Sequence, residues 1–201
     1  FAPKMIGRAN DECFLDGNCL ADALAASRER FGYDGVLAEM GLGPEPGVLG
    51  CPMEVEGNDV PLVVESIIGG REDFGRLKIP ADSAAVGAGG KLEPVERLVS
   101  ASGGEYAVLG SVRSPFEYAA TVRGLMEFMS DFYRDPEMVH DLIAAVMPAT
   151  LAVGRALADA GVDALVMKDS FASSSMISPD HYREFALPAE EEILSSLHGL
   201  D

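Results

Sequence analysis

A cation, a carboxylate and a hydroxyl side chain follow one another where an apolar run of this sequence ends. In "VMKDSFASSSMISPDHYREF", residues 166–185, the run stops at Lys168, Asp169 and Ser170, and more small hydroxyl residues follow. A carboxylate can take up or release a proton, and a cation or a hydroxyl can position a substrate group. We therefore take Asp169 as a candidate catalytic residue, and Lys168 and Ser170 as candidate substrate-binding residues.

Two further candidates lie earlier in the chain. Asp34 enters the apolar run of "YDGVL", where a carboxylate has few structural duties, so it is a second candidate catalytic residue. Arg113 precedes "SPFE", in which Ser114, Pro115 and Glu117 form the S-x-x-E pattern of a capping box with proline at the first helical position. An anion could bind the free amides of that helix start, so Arg113 is a candidate substrate-binding residue. Glu117 is interpreted as helix-start chemistry only.

The elements that must position these residues alternate between short apolar runs and longer amphipathic segments. Helical spacing predicts helices over 19–30, 92–102, from 115 onward, and from 136 to the glycine at 161. Apolar runs predict strands over 35–37, 105–110 and 162–169, with shorter extended pieces in 51–57 and 61–68. Helices of more than ten residues between buried strands are typical of parallel sheets.

Two α/β architectures fit this alternation, a doubly wound sheet and a (β/α)8 barrel. In both, functional groups lie at the carboxyl ends of the strands, which is where Lys168, Asp169 and Ser170 are expected. The 201 residues, 48% of them hydrophobic, are enough for one core and indicate a single domain over 1–201.

Composition excludes several classes of function. The formal net charge is −18, from 33 acidic and 15 basic residues, and such a surface repels nucleic acids. No uninterrupted apolar stretch approaches 18 residues, so no membrane span is expected. The three cysteines (Cys13, Cys19 and Cys51) form no C-x-x-C pair, which predicts reduced thiols in a cytoplasmic protein.

Three segments resemble the uroporphyrinogen decarboxylase superfamily. They are "FGYDGV" at 31–36, "GSVRSPFEYAATVRG" at 110–124 and "AGVDALVMKDSFASSSMISPDHYREFALP" at 160–188. The last is the most specific, because it contains an AG-x-D strand, an acidic residue and serine at the strand's end, and an SP-x-x-[FY]-x-x-F-x-x-P helix. The resemblance implies a (β/α)8 TIM barrel, of which this chain would hold a part.

The superfamily contains two branches of chemistry. One removes the acetate carboxyl groups of uroporphyrinogen III without a cofactor. The other moves methyl groups between methylated substrates, corrinoid proteins and thiols such as coenzyme M, usually with zinc. The resemblance places the zinc ligands of the second branch outside this chain, so no metal ligand is expected within it.

The residues favour the methyltransferase branch. Thr121 takes the place of a tyrosine found in the decarboxylases, and is kept as a candidate substrate-binding residue, whereas Asp34 and Ser170 match decarboxylase positions. The chain also shows few cations for a polycarboxylate substrate. The resemblance implies a small-molecule substrate and a cobalamin-carrying corrinoid protein as partner. The alternatives are uroporphyrinogen III decarboxylase, or a non-catalytic barrel fragment whose exposed edge favours homo-oligomers or completion by another polypeptide.

Overall fold

The computed structural model describes residues 2–38, 47, 49–54, 62–88 and 92–199, and shows an α/β fold. Three parallel strands form its main sheet, in the order β1-β4-β5, and β2 and β3 form a small antiparallel pair. The strands are β1 Gly35–Ala38, β2 Met53–Glu54, β3 Leu62–Val63, β4 Ala107–Arg113 and β5 Ala164–Lys168.

The helices of the described residues alternate with the strands of the main sheet. They are α1 Asn10–Leu15, α2 Gly17–Phe31, α3 Ser83–Gly87, α4 Glu93–Ser102, α5 Pro115–Arg123, α6 Leu125–Arg134, α7 Pro136–Asp159, α8 Pro179–His181 and α9 Leu187–Leu197, with 3-10 turns at Ala2–Ile6 and Arg71–Arg76. The predicted alternation and the parallel pairing are confirmed. A closed eight-stranded barrel is not visible in this part of the chain, where β1 and β5 form the edges of the sheet.

Short local signals set several helix ends, including the Ser114 cap that the sequence predicts. Ser114 accepts a hydrogen bond from the N–H of Glu117 at 2.9 Å, and Asp135 accepts one from the N–H of Met138 at 3.0 Å. Gly103 ends α4 with φ +53°, a left-handed conformation that favours glycine. Local signals therefore position the ends of α4, α5 and α7.

A π-helical turn, Tyr182–Ala186, lies between α8 and α9. Pro188 follows it at the start of α9, where it has no N–H to donate to the carbonyl four residues earlier. A widened turn accommodates that missing hydrogen bond, and turns of this kind are frequent near functional sites. Tyr182 begins the widened turn and projects toward the carboxyl end of β5, as its contacts below show.

Two apolar clusters form the core, and α7 contributes to both. One cluster packs the aromatic residues of α5 and α6 against α7, with Phe116 and Phe128 in edge contact at 5.1 Å. The other lies between the sheet and the helices α2, α4 and α7, around Val108 and Val112. By length and composition α7 is apolar enough to cross a membrane, yet more than half of its apolar window is buried inside the protein. We therefore interpret α7 as a core helix.

The predicted strand over 61–68 is shorter than expected. Within the described residues 62–68, only Leu62–Val63 pairs as a strand, because the N–H groups of Ile67 and Ile68 both donate to the carbonyl oxygen of Val122, at 2.9 and 3.0 Å. These hydrogen bonds to the end of α5 place the two isoleucines in the core, and they do not pair in a sheet.

The prediction of three reduced thiols is wrong for two of them. Cys13 and Cys19 form a disulfide across the turn between α1 and α2. Their Cα atoms are 4.7 Å apart, within the range that a disulfide requires. A spacing of six residues does not by itself predict a disulfide. The two cysteines meet because the chain turns at Asp16, whose side chain caps α2. Cys51 is a buried free thiol.

Candidate active site

The loops that follow β4 and β5 are joined by hydrogen bonds at the carboxyl edge of the sheet. Arg113 pairs with Lys168 in the register of the two strands, so both side chains lie on the same face. Beyond that pair, the N–H of Ser114 donates to the carbonyl oxygen of Lys168 at 2.9 Å. The structure therefore brings Arg113 to the same edge as Lys168, Asp169 and Ser170.

Asp169 is held by three donors. The hydroxyl of Ser114 donates to its Oδ2, and the N–H groups of Phe171 and Ala172 donate to its Oδ1 at 3.1 and 2.8 Å. The pKa of the Asp169 carboxyl is raised from 3.8 to about 6, mainly because the group is buried; the hydrogen bonds from Ser114 and Ala172 oppose this shift, and the charges of Glu190 and Glu117 add to it. A fraction of this carboxyl is thus protonated near neutral pH.

Glu117 links both loops. Its side chain is 3% exposed and its Oε1 accepts a hydrogen bond from the guanidinium of Arg113, whose side chain is 23% exposed. Its Oε2 accepts the N–H of Ser170 at 2.8 Å. The capping-box interpretation is correct for the Ser114 cap and wrong for the Glu117 carboxylate, because the Ser114 N–H that such a carboxylate would accept is bonded to Lys168 instead.

A tyrosine and another glutamate complete the group. The hydroxyl of Tyr182 donates to Glu190 Oε2 at 2.7 Å, which raises the pKa of Tyr182 to about 12, with smaller contributions from burial and from the charges of Glu190, Asp169 and Glu191. The π-helical turn therefore brings a neutral phenol, and α9 a carboxylate, toward Asp169.

An apolar cleft of about 250 Å³ opens beside the Asp169 turn. It is lined by Ala172, Ser174, Ile177, Ser178, Pro179 and Tyr182. Ala172 donates its N–H to Asp169 and Tyr182 bonds Glu190, so the cleft adjoins the polar group. A cleft of this size can hold a small apolar substituent.

Asp34 and Thr121 lie away from this group. Asp34 precedes β1, and its carbonyl oxygen accepts the N–H of Ala107 at 3.0 Å, so it is level with the start of β4. Six residue steps separate that level from Arg113, which at about 3.3 Å per residue is roughly 20 Å. The structure does not bring Asp34 and Asp169 together, because a residue before a strand lies at the amino edge of a parallel sheet.

Thr121 lies one turn beyond Glu117 on α5 and is partly buried. Its hydroxyl donates to the carbonyl oxygen of Glu117 at 2.7 Å, a backbone contact within the helix. No contact of Thr121 with Asp169 is seen among the described residues. Ser170 reaches the group through its backbone N–H, and its side chain belongs to an exposed residue.

The comparison with protein families decides the family of the chain. The sequence profile described as "Uroporphyrinogen decarboxylase (URO-D)" matches residues 4–201. The chain belongs to the uroporphyrinogen decarboxylase family. The resemblance predicted from the three sequence segments is therefore confirmed, and this URO-D chain has Asp169 and Ser170 in the most specific of them.

Curated relatives include members of both branches. A methylated-thiol–coenzyme M methyltransferase of Methanosarcina mazei is 28% identical over 192 residues, which cover 91% of this chain and 49% of the relative. A methylcobamide:CoM methyltransferase of Methanosarcina acetivorans is 24% identical over 94% of this chain and 56% of its own length. A uroporphyrinogen decarboxylase of Nocardia farcinica is 32% identical over 115 residues, 54% of this chain and 32% of the relative.

A solved structure shares the fold of the URO-D chain. The methyltransferase from Methanosarcina mazei superposes with a TM-score of 0.73 at 18% identity, over 92% of this chain and 55% of that chain. At this identity the match shows the fold alone. The URO-D chain spans about half the length of the curated methyltransferases it matches.

The described residues do not offer a zinc site. No three histidine, cysteine, aspartate or glutamate side chains in this part of the chain are placed to hold a metal ion. Cys13 and Cys19 are joined to each other, and burial raises the pKa of the Cys51 thiol to about 11, so its thiolate is scarce at neutral pH. We therefore assign no step of chemistry to zinc at these residues.

Sequence reasoning missed Glu117, Tyr182 and Glu190 as members of the site. The carboxylate of Glu117 could have been noticed, because it stands four residues after Arg113, but the cap pattern offered a complete local explanation. Tyr182 and Glu190 are eight residues apart, and they meet only because the π-helical turn and the start of α9 face the end of β5.

Proposed function

We propose that this protein transfers a methyl group between a methylated substrate or a methyl-corrinoid protein and a thiol or corrinoid acceptor. Two relatives named for methyl transfer support this, since their matches extend over 91% and 94% of the chain. The observation on which the proposal rests is the charge of the strand ends, which suits a substrate without several carboxylates.

Among the residues that the structure describes at this edge, carboxylates outnumber cations. Asp169, Glu117 and Glu190 lie there together with Arg113 and Lys168, and the guanidinium of Arg113 is paired with the buried Glu117. A substrate with eight carboxylates would meet a net negative surface, and like charges oppose binding. A thiol or thioether substrate carries far fewer negative charges than a substrate with eight carboxylates.

The proposed role of Asp169 is to orient the bound group and to exchange a proton with it. In methyl transfer to a thiol, a bond forms between the acceptor sulfur and the methyl carbon while the donor's bond to that carbon breaks. The thiol proton must leave, and the Asp169 carboxylate can receive it above its pKa of about 6. Lys168 and Ser170 would position the substrate, whose alkyl part would fill the adjacent apolar cleft.

A second candidate, decarboxylation of uroporphyrinogen III, is favoured by the same raised pKa. A carboxyl that keeps its proton near neutral pH can deliver the proton that replaces the departing carbon dioxide. The Nocardia farcinica relative, at 32% identity over 115 residues, agrees with this alternative. The charge of the strand ends argues against it.

The third candidate is a non-catalytic barrel fragment. Within the described residues β5 pairs on one side only, with β4, so its other edge could accept a strand of another polypeptide. That candidate requires neither the raised pKa of Asp169 nor the neighbouring cleft, and is therefore the weakest of the three.

The test uses the natural gene product, purified and assayed for zinc per chain and for two reactions. These are demethylation of a methylated thiol or methylcobalamin with coenzyme M as acceptor, and release of carbon dioxide from uroporphyrinogen III. Methyl transfer that falls at least about tenfold in Asp169→Asn, but not in the exposed control Asp180→Asn, is the expected result. Carbon dioxide release without methyl transfer would establish the second candidate, and a stable oligomer without either activity the third.

A further inference from the structure

Glu117 and Arg113 form an ion pair that changes what the strand ends can bind. Arg113 ends β4, the position from which a guanidinium could meet a substrate anion. Its side chain is nevertheless only 23% exposed, and it donates to a carboxylate that is 3% exposed. An arginine with a buried counterion offers little net charge to a ligand.

The Glu117 carboxylate is fixed in place by several donors at once. Besides Arg113, it accepts the N–H of Ser170 at 2.8 Å, and it lies in the first turn of α5, where the helix dipole favours a negative charge. The loop after β5 therefore fixes the carboxylate beside the guanidinium, because Ser170 binds Oε2 while Arg113 binds Oε1.

We infer that Glu117 is a specificity-determining residue, which neutralises Arg113 and thereby excludes substrates that carry several carboxylates. The inference rests on the proposed function, because a thiol or thioether substrate does not carry the several carboxylates that the charge of Arg113 would attract. It also gives the pair a role in separating two substrate classes within one fold.

The substitution Glu117→Gln tests this inference at a single atom. The Glu117 carboxylate accepts from two donors, Arg113 and the N–H of Ser170. Glutamine has nearly the same shape but only one acceptor oxygen and no charge, so the substitution removes the negative charge. The guanidinium of Arg113 keeps its charge, whereas the negative charge of Glu117 beside it is removed. Glu127→Gln is the matched control, because Glu127 is an exposed carboxylate that lies 3.9 Å from Arg134.

Citrate, a tricarboxylate, serves as the probe, and its dissociation constant is measured by calorimetry at constant ionic strength. We expect Glu117→Gln to bind citrate about tenfold more tightly than the unchanged protein, and Glu127→Gln to stay within about twofold. The double variant Arg113→Gln/Glu117→Gln should bind citrate no more tightly than the unchanged protein. A folded Glu117→Gln that binds citrate no more tightly than Glu127→Gln would overturn the inference, as would a gain that persists in the double variant.

A second measurement keeps the inference falsifiable if Glu117→Gln does not fold. In the unchanged protein the ¹⁵Nε resonance of Arg113 should not shift as citrate is added, because its guanidinium is already paired. A saturable shift would overturn the inference. Citrate binding is measured without turnover, so a failure of the proposed methyl transfer and a failure of this inference give separate results.

Discussion

The hydroxyl of Ser114 joins a helix cap to the candidate catalytic carboxylate. It accepts the N–H of Glu117 at 2.9 Å, which starts α5, and it donates to Asp169 Oδ2 at the end of β5. One side chain thus sets both the direction of a helix and the environment of the carboxylate. Stability and site chemistry are coupled at this residue.

Ser114→Ala should reveal this coupling. Loss of the cap is expected to lower the free energy of unfolding by about 1 kcal/mol. Loss of the hydroxyl donor should also raise the pKa of Asp169 above about 6, because the hydrogen bond stabilises the carboxylate form. Urea unfolding and carboxyl ¹³C NMR titration measure the two effects.

The control for this prediction is Ser178→Ala. Ser178 caps α8 by accepting the N–H of His181 at 3.1 Å, and no contact between its side chain and Asp169 is seen among the described residues. Ser178→Ala should lower the free energy of unfolding by an amount similar to that of Ser114→Ala, without changing the pKa of Asp169. Equal shifts of that pKa in both variants would contradict the assigned hydrogen bond.

Asp169 should also make stability depend on pH. Its pKa is about 6 in the folded protein and 3.8 ordinarily, so between those values the folded state binds more protons than the unfolded state. Stability then falls as pH rises from about 4 to about 6. Asp169→Asn removes this dependence while keeping an oxygen for the N–H of Ala172.

The measurement compares urea unfolding at pH 4 and pH 7. From pH 4 to pH 7, the free energy of unfolding of the unchanged protein should fall by about 2 kcal/mol more than that of Asp169→Asn. The exposed control Asp180→Asn should show the same pH dependence as the unchanged protein. If both variants follow the unchanged protein at both pH values, the raised pKa is wrong.

The alternation of strands and helices could be predicted because its signals are local. Apolar runs, caps and glycines lie within a few residues of the boundaries they set, and Ser114, Asp135 and Gly103 perform the functions their patterns indicate. The grouping of Lys168 and Arg113 also followed from sequence, because the carboxyl ends of parallel strands share one edge.

The members of the site that could not be predicted depend on contacts between distant residues. Glu117 meets Ser170 across 53 positions, and its local cap pattern gave a sufficient but incomplete explanation. Asp34 has the residue type of a catalytic group, yet the direction of β1 places it at the opposite edge. Residue type and family position are therefore insufficient without strand polarity.

A nearly buried ion pair should contribute more to stability than an exposed one. Arg123 lies 2.8 Å from Asp131, with side chains 14% and 8% exposed, and it also donates to the carbonyl oxygen of Gly69 at 2.9 Å. Arg123→Met leaves a buried carboxylate without its counterion and should cost about 3 kcal/mol in urea unfolding.

The exposed pair of Arg134 and Glu127 provides the comparison. Its closest approach is 3.9 Å and its side chains are 72% and 59% exposed, so Arg134→Met should cost less than about 0.5 kcal/mol. Adding Asp131→Leu to Arg123→Met should restore part of the loss. Similar costs for Arg123→Met and Arg134→Met would contradict the assignment.

The disulfide between Cys13 and Cys19 should make the chain sensitive to reductant. It closes a short loop, and the restriction of the unfolded chain is expected to contribute roughly 2 kcal/mol. The urea midpoint of the unchanged protein should fall when reductant is added, and that of Cys19→Ser should not respond. Cys51→Ser is the control, because its response to reductant should match that of the unchanged protein.

Alkylation of the folded protein gives an independent measurement of the same pairing. Iodoacetamide at pH 8 should add no label without reductant, since Cys51 is 5% exposed and burial raises its pKa to about 11. After reduction, Cys13 and Cys19 should each gain one label as the turn between α1 and α2 opens, and intact mass counts them. Labelling of these two cysteines before reduction would show that they are separate thiols, and the stability expected from the disulfide would then be absent as well.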